Sequence, residues 1–262
     1  MARFGVVLPI AEDDGQGVQP GWPEIRDVAI ATEAAGFDSI WVYDHLLFRF
    51  DGRTSGIHEA WTVLTAAAAV TTTPELGILV MATEYRNPAL LAKMAATLDH
   101  ISGGRLILGI GAGWFEKDYD QFGYEFGTAG SRIADLAQAM PRIRARWAAS
   151  NPVPTRQIPV MIGGGGERKT LRVVAEHADQ WHSFGDVDTL VRKSAILDEH
   201  GADVGRDTAA LVERSVGVGA PPSEVADALV AAGVTLFTVG TGGPDYDLSL
   251  AAEWVAWRDA QG

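Results

Sequence analysis

Asp44 and His45 interrupt an apolar run in "WVYDHLLFR", Trp41 to Arg49, and place a carboxylate beside an imidazole just where a buried segment ends. Such a pair is either a turn, with Asp capping a backbone N–H and His solvated, or the rim of a site where the ring donates a hydrogen bond or exchanges a proton. A second stretch, "IGGGGERK" (162–169), runs from an apolar segment through Gly163, Gly164, Gly165 and Gly166 towards a helical one. Consecutive glycines let backbone N–H groups approach an anion, and a following helix N-terminus favours negative charge, so phosphate binding stands beside a merely flexible connection. A third, "GIGAGWFE" (109–116), bares the main chain at Gly109, Gly111 and Gly113 and then presents Trp114. That suits a flat ring lying against backbone, or a loop that packs Trp114 into a rim.

The elements that must carry these residues alternate along the chain. Apolar runs read as strands at 3–9, 38–43, 75–80, 105–110, 158–162, 179–184, 210–216 and 234–240, mostly as continuous Val/Ile/Leu stretches suited to parallel strands covered on both faces. Between them lie segments of helical period, including "PEIRDVAIATEAAG", "NPALLAKMAATLDHISGG" with Asn87 as N-cap, and "SRIADLAQAMPRIRARWAA", where Pro141 is expected to kink or split the helix. Eight strands alternating with eight helices predict an α/β (β/α)8 TIM barrel in one domain over 1–262, with insertions at 44–58 and 112–130. A doubly wound open sheet is the competing architecture. In a barrel the segments that follow strands form the functional rim, whereas Gly36, Pro74, Gly103 and Gly104 precede strands and belong to the opposite end. Asp44–His45, the 109–116 stretch and the tetraglycine all follow strands, so they converge.

Composition narrows the chemistry. The formal charge of −13 disfavours nucleic acid and anionic membrane surfaces as partners, and leaves a small-molecule substrate. No cysteine means no disulfide and no thiolate metal site, and the start "MARFGVVLP" enters a strand directly, so a cytoplasmic protein is expected. A metal hydrolase is poorly supported: strand one, "FGVVLP", carries no His, and His100, His177 and His200 fall on helices with His58 in a loop. No G-x-S-x-G elbow supports acyl transfer. Trp41, Trp61, Trp181, Trp254 and Trp257 read as packing residues.

Three blocks, "GFDSIWVYDH", "YRNPALLAKMAATLDHISGGRLILGIGAGWFEKDYDQFG" and "IPVMIGGGGERKTLRVVAEHADQWH", resemble the luciferase-like monooxygenase superfamily, and within it the oxidoreductases that use coenzyme F420, an 8-hydroxy-5-deazaflavin. The resemblance implies a deazaflavin ring in the barrel mouth and Asp44 and His45 against it as catalytic and cofactor-binding residues. It also implies a strand-three bulge near Ile78, Leu79 and Val80, often with a non-proline cis peptide, behind the ring. Gly111, Ala112 and Gly113 would line the same cleft, Gly163 to Gly166 would form the phosphate loop, Trp114 and Phe48 would wall the substrate side, and a homodimer is common in the family. The sequence departs from the sugar-phosphate dehydrogenases of that family, which carry a glutamate where Trp114 stands; Met81–Ala82 are also bulkier or less polar than the residues usual after strand three. Hydride transfer to or from a small organic substrate is the expected activity. An FMN monooxygenase using molecular oxygen and a non-catalytic flavin-binding protein are the alternatives. The loops 44–58, 112–130 and 240–247 carry no recognition motif that names a substrate.

Overall fold

A computed structural model describes residues 2–12, 18–50, 53–241 and 245–261, with the backbone alone at 48–50 and 53. The strands are β1 (Arg3–Val7), β2 (Ser39–Val42), β3 (Glu75–Ile78), β4 (Leu106–Gly111), β5 (Val160–Gly163), β6 (Gln180–Ser183), β7 (Glu213–Val218) and β8 (Val234–Gly240). They pair in parallel in the order β3-β2-β1-β8-β7-β6-β5-β4, and β3 also pairs with β4, with Leu76 opposite Leu106. That last pairing closes a (β/α)8 barrel and excludes the open sheet.

The helices around it are α1 (Trp22–Ala34), α2 (Ala60–Val70), α3 (Pro88–Ser102), α4 (Glu116–Phe122), α5 (Ala129–Ala148), α6 (Thr170–His177), α7 (Val187–Asp203), α8 (Thr208–Leu211), α9 (Pro222–Ala231) and α10 (Ser249–Ala260). Local chemistry sets several ends. Asn87 accepts from Ala89 N at 2.9 Å to start α3, and Gly103, at φ 67°, stops it in the left-handed region. Three expectations shift. Strand seven begins at Glu213 rather than 210, because Asp207 caps the short helix α8 through Ala210 N. The tetraglycine does not run straight into helix α6, which begins only at Thr170. Helix α5 runs unbroken through Pro141. Among the described residues no helix is long and apolar enough to cross a membrane.

The barrel interior is plugged below the mouth. At the lower end Arg3 is held by Glu75 and Glu213, and Gln180 also donates to Glu213. Above them Trp41 lies across the axis against Ile107, Met161 and Leu236. Glycines make room for it: a Cβ on Gly77 would sit 2.2 Å from Trp41 Cζ3, and one on Gly5 2.4 Å from its Nε1. The indole N–H is satisfied by Ser39 Oγ at 2.8 Å. A ligand therefore meets the barrel at the strand C-termini, where such enzymes place their chemistry.

Candidate active site

At that end lies a cavity of about 780 Å³, within the roughly 300–1,000 Å³ typical of ligand pockets. Its floor is a break in strand three. β3 stops at Ile78, the Leu79–Val80 peptide is cis, and pairing resumes only at Met81–Ala82 against Ile110 and Gly111. Leu79 and Val80 project into the cavity with Gly111, Ala112, Gly113, Gly163 and Gly164 around them; Ile78 stays in the core and outside the cavity wall. The resemblance places the bulge at this point.

The glycines here serve the bulge. A Cβ on Gly109 would meet Ile78 O at 1.8 Å, and Cβ atoms on Gly111 and Gly163 would meet Val80 Cγ2 at 2.8 and 2.6 Å. Bare main chain on β4 and β5 thus admits Val80, and Val80 presents the flat apolar surface. The sequence reading had the ring itself occupying that space. Gly113, at φ 67°, clears the Tyr119 hydroxyl, which donates to Glu84 Oε2 at 2.8 Å.

Asp44 and His45 both reach the mouth but take different partners. Asp44 is 5% exposed and forked onto Arg86, with Nη1 and Nη2 donating at 2.7 and 2.9 Å, and it accepts Ala82 N at 3.3 Å. Arg86 continues to Glu59, the N-cap of α2. Asp44 therefore brackets the end of strand three. His45 turns instead to Asp118 on α4, its Nδ1 lying 2.9 Å from Asp118 Oδ2. Asp118 is fully buried and also accepts Leu47 N at 2.8 Å, Leu46 N at 3.2 Å and the Tyr85 hydroxyl at 3.3 Å. Burial, with Asp118 next to it, holds the Tyr85 phenol well above its ordinary value, so it stays a donor. With Nδ1 committed, any contact from His45 to a ligand runs through Nε2.

The sequence reading missed Asp118. Its signal was spacing: Phe115, Asp118 and Tyr119, at i, i+3 and i+4, share the inner face of a helix end whose other acidic residues, Glu116 and Asp120, are exposed. His182 was missed as well. It lines the mouth from β6, is 2% exposed, and burial lowers its pKa to about 4.

Aromatic rings complete the wall. Trp114 and Phe115 stand edge-on to His45 with centroids 5.6 and 5.4 Å away, and Trp114 is 65% exposed. Phe48 starts a short hairpin, Phe48–Phe50 with Arg53–Ser55, but its side chain lies outside the described residues. The tetraglycine divides. Gly163 and Gly164 line the mouth, and Gly164 N–H is spent on His182 O at 3.1 Å; Gly165 and Gly166 lie beyond the cavity wall. A Cβ on Gly165 would sit 2.3 Å from Lys193 Nζ, so that glycine lets an ammonium approach the main chain. Any anion taken by the loop meets Gly165, Gly166 and Lys193 rather than all four glycines.

A family model described as luciferase-like monooxygenase matches residues 1–246. The chain belongs to that family. Among its luciferase-like relatives, it is 31% identical over 179 residues to an F420-dependent glucose-6-phosphate dehydrogenase of Amycolatopsis mediterranei, covering 61% of this chain and 51% of that protein. It thus spans about half the length of that dehydrogenase. Its fold matches an F420-dependent secondary alcohol dehydrogenase in complex with an F420-acetone adduct (TM-score 0.80, 17% identity, 95% and 96% of the two chains). It also matches the oxygenating constituent of the Pseudomonas putida 3,6-diketocamphane monooxygenase in complex with FMN (TM-score 0.65, 17% identity, 83% and 67%). The luciferase-like mouth fits a tricyclic ring on its own evidence: a mostly apolar cavity and a floor cleared by glycines. Among the described residues no group of three or more His, Cys, Asp or Glu is placed to hold a metal.

Proposed function

We propose that this chain is an oxidoreductase that transfers hydride between coenzyme F420 and a small organic substrate. The observation that carries the reading is the Leu79–Val80 floor, made accessible by Gly109, Gly111 and Gly163, with the His45–Asp118 pair at its edge. The F420-dependent relative and the F420-bound structural neighbour support this choice of cofactor. Lys193 at Gly165 supports it too, since the deazaflavin tail is longer and more anionic than that of FMN.

When bound, the deazaflavin supplies a carbon that gives or accepts hydride. The protein's part is positioning and proton handling. Leu79 and Val80 would hold the ring, and Trp114 and Phe115 would wall the cleft beside His45. His45 Nε2, unprotonated in the neutral ring whose Nδ1–H is given to Asp118, accepts a proton or a hydrogen bond, and it donates once the ring is protonated; Asp118 keeps the imidazole in one orientation. An FMN-dependent oxygenation is the second reading, supported by the FMN-bound neighbour.

Titrating the purified protein with F420 and with FMN, and following quenching of intrinsic fluorescence, separates the two. Tighter binding of F420 is expected. Tight FMN binding with weak F420 binding overturns the first reading. Binding of either with no substrate-dependent reduction of the oxidised cofactor by alcohols, and no oxidation of the reduced cofactor by aldehydes or enones, leaves a flavin-binding protein without turnover.

A further inference from the structure

His182 has no part in the chemistry described so far, yet it occupies a defined position in the mouth. It lies on β6 opposite Gly163 of β5 and Ser215 of β7. Its Nδ1 is 3.0 Å from Ser215 Oγ. Its Nε2 is buried and has no hydrogen-bond partner. A buried ring nitrogen left without a partner is costly, and native proteins seldom keep one without a use. Gly163 contributes no side chain that could cover the imidazole. The ring packed against it is Phe184, edge-on at 4.9 Å and 69% exposed, an aromatic with little to hold it in place. Exposed side chains of this kind change rotamer quickly.

The charged groups lining the same cavity are already engaged. Asp44 is held by Arg86 and His45 by Asp118. The Arg132 guanidinium donates to Gly113 O and Phe126 O and stacks on the Phe126 ring. The rest of the wall is uncharged: it is largely apolar, with Leu79, Val80, Trp114, Phe115 and Ile133, and its hydroxyls belong to Tyr43, Tyr85 and Thr170.

We propose that His182 anchors the substrate: Phe184 turns aside, and Nε2 hydrogen-bonds the hydroxyl or carbonyl oxygen of an uncharged, otherwise apolar molecule. The Ser215 hydroxyl can either donate to Nδ1 or accept from it, so Nε2 can serve as donor to a carbonyl or as acceptor from an alcohol. Desolvation keeps the ring neutral, and a neutral ring can play both parts. A phosphorylated sugar finds no uncommitted cation among the described residues of this wall. The inference rests on the redox reading for the identity of the reaction, but not for the binding event.

The test follows the ring nitrogens directly. Protein labelled with 15N-histidine, bare and loaded with whichever cofactor it binds, is titrated with cyclohexanol, cyclohexanone and glucose 6-phosphate. The His182 Nε2 resonance is expected to shift with cyclohexanol and cyclohexanone and to stay put with glucose 6-phosphate. In turnover, His182→Phe should raise KM for cyclohexanol about tenfold, the loss expected when one hydrogen bond to a desolvated oxygen is removed. His182→Gln should recover part of it, and cofactor affinity should not change. An unmoved resonance with both oxygenated probes overturns the proposal, as does a His182→Phe variant whose cofactor affinity falls in step with its KM. If neither cofactor binds, the redox reading fails, while the resonance shift in the bare protein still decides the role of His182.

Discussion

Asp118→Asn isolates the positioning of His45 from the binding of the ring. The carboxylate is fully buried, and its Oδ2 faces three donors: His45 Nδ1, Leu46 N–H and the Tyr85 hydroxyl. Its Oδ1 accepts Leu47 N at 2.8 Å. The amide of Asn is nearly the same size and can keep the Leu47 contact, but its NH2 then opposes donors. His45 must present a bare Nδ1 to that NH2 and carry its proton on Nε2, which is the opposite tautomer. Hydrogen bonds to a charged acceptor are worth about 1.5–3 kcal/mol each. Losing the one to His45 and weakening the two beside it should cost about 2–4 kcal/mol of unfolding free energy. Positioned proton transfer contributes about 10²–10⁴ in rate, so turnover should fall by about a hundredfold or more. The Leu79–Val80 floor is untouched, and F420 affinity should stay within about threefold, less than 1 kcal/mol. Steady-state turnover, followed by the visible absorbance of the deazaflavin, together with fluorescence titration and urea unfolding, gives all three values. Turnover that survives the substitution, or a loss that tracks cofactor affinity, refutes the assignment.

His45→Ala and Asp44→Asn should separate the two neighbours. The first should cut turnover by about 10²–10⁴ and, by taking one donor from the buried Asp118, cost about 1.5–3 kcal/mol in urea unfolding, whereas the second leaves the buried Arg86 half-paired and should cost about 2–4 kcal/mol of stability with a smaller loss of turnover; the reverse ranking in turnover would mean their roles are exchanged. Gly109→Ala should destabilise by about 3 kcal/mol, since its Cβ would fall 1.8 Å from a backbone oxygen of β3, and F420 affinity should fall with it; calorimetry and titration on one preparation check both. Gly164→Val places a branched side chain at φ 126° and should cost stability as well as cofactor affinity, while the Cβ of Gly165→Ala meets only the flexible end of Lys193, so it should leave the fold intact and still weaken cofactor binding by moving that ammonium. Burial lowers His182 to about 4, so the folded state refuses a proton that the unfolded chain accepts near 6.5. The associated stability is full above about 6.5 and is lost as pH falls towards 4, by up to about 3 kcal/mol. The low-pH loss in urea midpoints should be smaller in His182→Gln than in wild type, and equal slopes would contradict this.

Much of the architecture was legible because parallel barrel strands are covered on both faces and write themselves as apolar runs. The rim was legible for the same reason: Asp44, His45, Trp114 and the tetraglycine each follow such a run. Spacing with Phe115 and Tyr119 marks Asp118 as inward-facing, but its role was hidden because its partners Leu46 and Leu47 are backbone donors 72 and 71 residues away. His182 was hidden because its short strand, QWHS, is buried at all four positions and so gives no parity. Only pairing with β5 and β7 shows that it points inward with Gly163 and Ser215. The fold brings Gly111, Gly113, Gly163 and Gly164 to the mouth and leaves Gly165 and Gly166 beyond it, and the immediate contact of Gly111 and Gly163 is Val80, a packing relation between strands that spacing alone does not encode.

A crystal structure of the protein with F420 tests the central claim most directly. The account predicts the tricyclic ring in van der Waals contact with Leu79 and Val80, its polar edge at His45 Nε2, and its phosphate beside Gly165 and Lys193. A ring bound at the lower end of the barrel, or a mouth left without it when F420 saturates the protein in solution, would contradict it.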